Sequence, residues 1–544
     1  MNRLTSNMIS KSCLSLLAIV LTSNFCFSQS GYLDHTFNNT GFNLSISADY
    51  PMLIAYDMLV QPDQKSVVVC EGFTSSGRDL VVVRYNVDGS LDESFGTGGF
   101  VSYDQQGMVE RVTSVALQSD GKLIAGGNMY ISEGDINPTK WFAVRFLQDG
   151  TLDTSYGVSG AALIGSAEFV PLKTYDSAVQ SDDKLLLVGE TNTTGYDRGT
   201  TVRLDINGQL DLTFGINGVF YPYPQEVYNG IMGVKIQPDG MIVVCGDLLV
   251  QPSLSENDYL IMRFDQNGVM DNSFGNGGVV TLDAGPLYGS LMYISFQGDG
   301  KIVCSGLYYA GLATGGYCTS VIRISEQGEI DPSFGANGLV KIEYNPIHEE
   351  LPYGVEIKSD GEIVVAFATP QLPPAQNSFF MIKKLNSDGT PDQSFGVDGL
   401  IQLNMTFGDA IHAMAIQSDD KIVISGIGTN QNDNMQTVLI ARILPDELIS
   451  SISEKAFVVN SSVYPNPAQD ILQLSFELPN AEIGSIKMFD VSGKLIRTYI
   501  EKQLLFQGIN NFTLDISHLT SPGVYILELN TADGRKSTVQ FVKE

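Results

Sequence analysis

An eleven-residue stretch, GSLDESFGTGG at 89–99, returns along the chain as GTLDTSYGVSG (150–160), GQLDLTFGING (208–218), GVMDNSFGNGG (268–278), GEIDPSFGANG (328–338) and GTPDQSFGVDG (389–399). A degenerate copy, GYLDHTFNNTG, lies at 31–41. The motif aspartates Asp34, Asp92, Asp153, Asp211, Asp271, Asp331 and Asp392 are spaced 58, 61, 58, 60, 60 and 61 residues apart. A fixed period of this length means a row of repeated supersecondary units, none of which can bury its apolar faces alone.

Each unit also holds a hairpin: QPDQKSVVV (61–69), QSDGKLIAG (118–126), QSDDKLLLV (180–188), QPDGMIVVC (237–245), QGDGKIVCS (297–305), KSDGEIVVA (358–366) and QSDDKIVIS (417–425). An apolar run, a tight Asp-Gly or Asp-Asp turn and a second apolar run describe two antiparallel strands. A third strand follows, as in LVVVRYN (80–86), WFAVRFL (141–147) or YLIMRFD (259–265), and the Gly-x-Leu-Asp segment turns into a fourth. Four strands per unit, seven times, predict an all-β chain folded as a seven-bladed β-propeller, in which radial closure leaves only short edges. The ends are complementary: the last hairpin is followed by a third strand, TVLIARIL (437–444), but no fourth, and the copy at 31–41 precedes any hairpin. The N-terminal strand is therefore expected to complete the seventh blade, a 3+1 closure. An open solenoid would carry caps instead.

Eight residues before each motif aspartate stands a cation: Arg84–Asp92, Arg145–Asp153, Arg203–Asp211, Arg263–Asp271, Arg323–Asp331 and Lys384–Asp392, leaving Arg442 to meet Asp34 through space. A charged pair across a turn, its carboxylate also accepting turn N–H groups, is a structural device. Catalysis needs a group once, so seven copies read as scaffold. The motif aromatics, Phe95, Tyr156, Phe214, Phe274, Phe334 and Phe395, are expected to pack between blades.

The short repeated turns must share one rim, which leaves the connections of variable length and composition on the other. Those connections are rich in tyrosine and carboxylate. Tyr103, Tyr130, Trp141, Tyr175, Tyr223, Tyr228, Tyr288, Tyr309, Tyr344 and Tyr353 are the candidate ligand-binding residues, aromatic platforms suited to a glycan or an extended peptide. Many of them would serve equally to pack the loops. Of four histidines only His348 and His412 fall in such segments. No nucleophile elbow, phosphate-binding loop or zinc-protease motif is present, so no catalytic residue is assigned and a non-enzymatic role is favoured. Nor does any spacing read as a metal or cofactor site. Cys70, Cys245 and Cys304 sit in apolar runs, and Cys304 and Cys318 could face each other across one hairpin as a disulfide.

The chain starts with Arg3 and Lys11, an apolar run from Cys13 to Thr22, and Cys26-Phe27-Ser28, small residues at the cleavage positions. This is the layout of a secretory signal peptide cut after Ser28, its core too short to span a bilayer. No later segment is apolar enough to span. The net charge of −30 becomes −32 once Arg3 and Lys11 are removed, which argues against nucleic acid and anionic lipid as partners.

After Pro445 the repeat ends. YPNPAQDILQLSFELP (464–479), GSIKMFDVSGKLI (484–496), NNFTLDISHLTSPGVYILELN (510–530) and GRKSTVQFVKE (534–544) predict a small β-sandwich. Tyr464, Pro465, Asn466 and Pro467, the turn with Gly493 and Lys494, the pair Gly523 and Tyr525, and the final Phe541-Val542-Lys543 resemble the type A C-terminal sorting domain of the type IX (Por) secretion system of Bacteroidetes. The propeller units resemble the delta-60 repeat, with Tyr156 for Phe, Pro391 for Leu and Asn38 for Gly as departures. The first resemblance implies export by the type IX machinery, then release or attachment at the outer-membrane surface; the second implies a β-propeller without an assigned activity. The expected layout is a signal peptide (1–28), a propeller (29–450), a linker (451–461) and a sorting domain (462–544). The expected role is a binding or adhesion module for a glycan or protein, with an extracellular polysaccharide- or peptide-cleaving hydrolase or lyase and a structural surface component as alternatives.

Overall fold

The computed structural model describes residues 32–75, 77–105, 107–166, 169–192, 197–222, 228–249, 257–284, 288–309, 316–343, 350–369, 379–403, 405, 410–430, 435–445, 459–478, 482–490, 494–506, 508–531 and 536–544. Ser28 and the rest of the leader, Tyr223, Tyr344, His348 and Gly493 lie outside them. The chain divides into two compact units, 1–447 and 448–544.

The first unit is a closed ring of seven four-stranded antiparallel sheets. Six are consecutive, at 52–103, 109–164, 171–220, 229–282, 289–342 and 351–403. The seventh takes three strands from 410–443 and its outermost strand, Phe42–Ser45, from the start of the chain. Phe42 pairs with Ala441 and Ser45 with Val438, and the innermost strand of this blade packs on that of blade 1. The second and third strands of a blade are covered on both faces by neighbouring blades. They therefore read as continuous apolar runs such as SVVVC and LVVVRY, buried almost throughout, rather than as alternating patterns.

The repeated motif joins each blade to the next. Arg84 Nε lies 2.7 Å from Asp92 Oδ2, and the corresponding distances are 2.9 Å for Arg145–Asp153 and Arg203–Asp211, 3.0 Å for Arg323–Asp331 and 2.8 Å for Lys384–Asp392 and Arg442–Asp34. In Arg263–Asp271 the closest approach is 2.7 Å. The guanidinium also lies over the motif ring, 4.3 Å from Phe95 in blade 1 and 4.4 Å from Tyr156 in blade 2. Its free end donates to a carbonyl of the following blade: Arg84 to Gln148 O, Arg145 to Ile206 O and Arg263 to Glu326 O at 2.6 Å, and Arg442 back to Val87 O at 2.5 Å. The ring is also the reason for the motif glycine. A Cβ on Gly208 would stand 2.9 Å from the Tyr156 ring, and one on Gly89 2.6 Å from Phe37.

The hairpin turns make a second belt. Their fourth residue needs the left-handed conformation that glycine adopts freely, as Gly121 does at φ 82°. Gln64, Asp183 and Asp420 take that conformation without being glycine, and each clamps the turn of the preceding blade. Asp183 accepts the N–H and hydroxyl of Ser119 at 2.7 and 2.6 Å, Asp420 accepts the N–H of Ser359 at 2.8 Å, and Gln64 Oε1 accepts the N–H of Ser418 at 2.9 Å. An interblade bond offsets local strain of about 1–3 kcal/mol.

Cys70, Cys245, Cys304 and Cys318 are free and buried, so Cys304 and Cys318 do not pair. Cys304 stands opposite Ile322, and Cys318 opposite Tyr308, so the two thiols are out of register on adjacent strands.

The second unit is a sandwich of a three-stranded sheet (Val459–Tyr464, Ile471–Leu478, Gly508–Asp515) and a four-stranded sheet (Glu482–Asp490, Leu495–Leu505, Gly523–Thr531, Lys536–Lys543). Its core includes Leu472, Leu474, Phe476, Met488, Leu527 and Leu529. The motif at its entry is tied to the end of the chain: Asn466 Oδ1 accepts Val542 N–H at 2.8 Å, and Ala468 N–H donates to Val542 O at 2.8 Å. Tyr525 stacks on Phe541 at 5.8 Å, Lys494 closes the turn on Asp490 Oδ1 at 3.0 Å, and Tyr464 is 76% exposed.

Candidate functional site

The innermost strand of every blade carries a bulge at one register position, five residues before the hairpin. The bulged residues are Tyr56, Thr113, Tyr175, Met232, Met292, Tyr353 and His412, and all seven line a cavity of about 470 Å³ on the propeller axis. A bulge re-aims a side chain out of the pleat. Seven-fold backbone symmetry thus presents seven side chains chosen independently. On one side of this layer Tyr353 stacks on His412 at 5.4 Å, and Tyr56 meets the same imidazole at 5.8 Å. His412 Nδ1 is hydrogen-bonded to Ala55 O, and burial holds its pKa below the usual imidazole value. The histidine placed on a rim by sequence thus lines the axis.

The next residue along is an aspartate in two blades. Asp57 accepts Met58 N–H and Val115 N–H, both at 2.8 Å, and Asp176 accepts Ser177 N–H at 2.7 Å and Val234 N–H at 2.9 Å. Each carboxylate therefore bridges to the inner strand of the following blade. Burial, reinforced by Asp176, pushes Asp57 up to about 7, and burial pushes Asp176 up to about 6, each against the pull of two N–H donors. Further along the cavity wall, Lys235 and Glu356 form an ion pair at 3.2 Å.

Tyr175 connects the axis to the variable-loop face. Its hydroxyl donates to Glu190 Oε2 at 3.2 Å. The carboxylates of Glu190 and Asp247 converge on the edge of Gly230, where a Cβ would stand 2.9 Å from Glu190 Oε1 and 2.7 Å from Asp247 Oδ1. Only a glycine lets the two carboxylates come this close to the backbone. Asp247 also accepts Asn257 Nδ2 at 2.5 Å and Ser290 Oγ at 3.2 Å. Burial first, and the Asp247 charge second, raise Glu190 to about 7; burial raises Asp247 to about 6. Tyr288 feels both charges, and its ring meets Tyr317 edge-on at 5.8 Å, with Tyr309 on Tyr317 at 5.3 Å. Blades 3, 4 and 5 thus share one patch of two carboxylates and four half-buried tyrosines.

The structure brings together three of the ten sequence candidates here, Tyr175, Tyr288 and Tyr309, and puts Tyr353 on the axis. Tyr228 is half-buried beside Asn229, its carbonyl accepting Leu249 N–H at 3.1 Å. Trp141, Tyr130 and Tyr103 are corrections. Trp141 is fully buried edge-on against Phe169 at 5.2 Å, Tyr130 is 2% exposed beneath Arg111, and Tyr103 is buried with its hydroxyl on Gln105 Oε1. All three lie within strands, which the blades sandwich, and not in the loops between them. Sequence reasoning missed Glu190, Asp247 and Tyr317. The available signal was a polar residue ten positions after the hairpin start in an otherwise apolar strand: Glu71, Asn128, Glu190 and Asp247 in blades 1–4, against Leu307, Ala368 and Ile427 in blades 5–7.

Among curated proteins none matches the sequence. In fold the chain is similar to the polysaccharide lyase Uly1 (11% identity, 74% of this chain and 92% of that chain, TM-score 0.43). It is also similar to an ulvan lyase of the PL25 polysaccharide lyase family (9% identity, 76% and 96%, TM-score 0.42) and to an α-L-arabinanase of Penicillium chrysogenum (9%, 73% and 96%, TM-score 0.34). No helix among the described residues is long and apolar enough to cross a membrane. The family model described as a domain of unknown function (DUF5122) beta-propeller matches residues 61–95, 118–156, 180–214, 237–274 and 297–334, and the secretion system C-terminal sorting domain matches 462–544. The chain thus carries β-propeller repeats that match this model and a type IX sorting tail, which directs export to the cell surface or the extracellular space.

Proposed function

We propose that the protein is an extracellular binding module whose propeller takes a neutral, polyhydroxylated ligand, a glycan, on the patch formed by Tyr175, Glu190, Asp247, Tyr288, Tyr309 and Tyr317. The observation that carries this reading is the pairing of two carboxylates that converge on Gly230 with tyrosine rings beside them. Carboxylates accept sugar hydroxyls in strong hydrogen bonds, and tyrosine faces cover the apolar faces of pyranose rings at small entropic cost. A chain of net charge −30, with two acids in the site, repels polyanionic ligands. The test is an array of neutral and acidic glycans probed with the full secreted chain. Binding to neutral glycans that weakens roughly tenfold or more in Tyr288→Ala and Tyr317→Ala, about 1.4 kcal/mol or more, supports the reading. Binding only to sulfated or uronic polymers, or to none, overturns it.

One observation favours a second reading, glycoside cleavage. At neutral pH Glu190, at about 7, is about half protonated while Asp247, at about 6, is mostly ionised, the direction of the division of labour that glycosidic hydrolysis uses. Release of reducing ends from bound glycan, abolished in Glu190→Gln while binding persists, would move the protein to that class.

A further inference from the structure

A third group of acids lies apart from this patch, where blade 1 meets blade 2. Asp79 opens the third strand of blade 1 (Arg78–Tyr85), Asp104 follows its fourth strand (Phe100–Tyr103), and Glu110 lies in the first strand of blade 2 (Val109–Leu117). Leu80 pairs with Tyr103, so Asp79 and Asp104 extend the ladder as the next opposed pair, two like charges facing each other. Like charges directly opposed destabilise a sheet. One carboxylate oxygen from each of the three acids lies within 4.8 Å of the other two.

Glu110 makes this more than a cluster of surface acids. Its side chain is 0% exposed, and Oε2 has no hydrogen-bond partner among the described residues; Oε1 accepts Gln105 N–H at 3.2 Å. A buried, unpartnered carboxylate oxygen is costly unless a cation or proton meets it. Burial, then the charges of Asp104 and Asp79, raise the Glu110 carboxyl above its ordinary range. Asp79 accepts the Tyr50 hydroxyl at 2.8 Å, which fixes its orientation.

In the two blades that follow, this position holds a cation; in blades 4 to 7 it holds Asp258, Cys318, Phe379 and Thr437. In blade 2 the residue equivalent to Asp79 is Lys140, whose ammonium is hydrogen-bonded to the carbonyl of Gly165, the equivalent of Asp104. In blade 3 it is Arg198, its guanidinium 4.2 Å from the Tyr221 ring. Both carry their own positive charge. Blade 1 carries three acids instead.

We propose that Asp79, Asp104 and Glu110 bind a divalent cation of the calcium type, which takes the place of the side-chain cation in blades 2 and 3 and ties the end of blade 1 to the start of blade 2. The donors are all oxygen, the preference of a hard cation, and two of the three acids are at least partly open for waters to complete the shell. Sequence spacing hides such a site, because its ligands come from two strands and the end of a third, in two blades. The site is independent of the glycan reading.

The test uses the full secreted chain stripped with EDTA, then titrated with Ca²⁺ while following thermal unfolding, and with Tb³⁺ while following luminescence sensitised by the adjacent Tyr50 and Tyr103. The expected result is a saturable rise in Tm and saturable luminescence, both weakened by roughly 10- to 100-fold in affinity in Glu110→Gln and in Asp79→Asn. Glu110→Gln keeps the shape of the side chain and should fold without calcium at least as stably as the stripped parent. A parent chain that shows neither response, or a response unchanged in Asp79→Asn and Glu110→Gln, overturns the proposal. Should one variant fail to fold, the other carries the comparison.

Discussion

The carboxylates of the repeated motif and those around the axis differ in every physical respect. Each motif aspartate is matched to an arginine or lysine. In Asp211 the hydroxyl and N–H of Thr213, with Lys184 and Arg203, outweigh the effect of burial and lower the pKa to about 2; Asp92 is held lower still by Lys65, Ser94 and Arg84. Asp57, Asp176, Glu190, Asp247 and Glu110 are raised, chiefly by burial. The first group is spread evenly round the ring. The second is confined to inner and loop-face positions of blades 1 to 4. Buried carboxylates with raised pKa values are candidates for a functional role, whereas the matched motif pairs serve the scaffold.

Four experiments would break or sharpen this contrast. The largest effect is expected from deleting 32–45, which removes Asp34, Phe37 and the strand that completes blade 7; that chain should lose its cooperative thermal transition and aggregate on size exclusion. Next, Arg145→Ala leaves Asp153 without its cation, held only by the N–H and hydroxyl of Ser155, and empties the space above Tyr156. It should cost about 3–5 kcal/mol in urea unfolding, whereas Glu190→Gln should leave stability unchanged or raise it. Equal losses in the two variants would erase the distinction between scaffold and site. Third, Gly208→Ala drives a methyl into the Tyr156 ring at φ 77°, while Gly240→Ala at φ 87° meets nothing within 4 Å. Both pay about 1–2 kcal/mol for the left-handed backbone, and Gly208→Ala should cost more by the steric contact.

The smallest effect is on pH. A carboxyl whose folded pKa lies above its unfolded value binds the proton more tightly in the folded state. Stability therefore falls as pH rises between the two values, from about 4 to about 7 for Asp57. The lowered motif aspartates work the other way, losing their contribution only as pH falls below the ordinary carboxylate value. Tm should be highest in mildly acidic solution and decline towards pH 8, with a shallower decline in Asp57→Asn. A Tm that rises steadily from pH 5 to pH 8 would contradict the assignment.

The ring, its 3+1 closure and the sandwich were legible because each is written in periodicity: sixty residues for the blade, two for the strand, and complementary ends. The seven pairs were legible because their spacing is constant at eight residues, except for Arg442 and Asp34, which only closure explains. The site was not legible in the same way. Tyr175 and Tyr353 reach the axis because a bulge turns them there, and a bulge leaves no signature in seven positions occupied by Tyr, Thr, Tyr, Met, Met, Tyr and His. Trp141 and Tyr130 misled because variable segments begin and end inside strands, where a large aromatic is core. Glu190 and Asp247 lie 57 residues apart in sequence and meet only because equivalent positions of adjacent blades are neighbours.

Pairing Phe42 with Ala441 also sets the order in which the molecule can be finished. The first strand to emerge during synthesis must wait for a partner almost 400 residues downstream, with six blades formed or forming between them. The entropic cost of so long a loop is modest, since it grows only with the logarithm of length, but contacts so distant in sequence make folding slow. Until the last blade joins, the apolar faces of the first and sixth blades are uncovered, and Phe42–Ser45 is an unpaired strand open to pairing with other chains. The propeller is therefore most vulnerable to misassembly as an almost complete polypeptide, and a chain cut short anywhere before residue 443 has no ring to close.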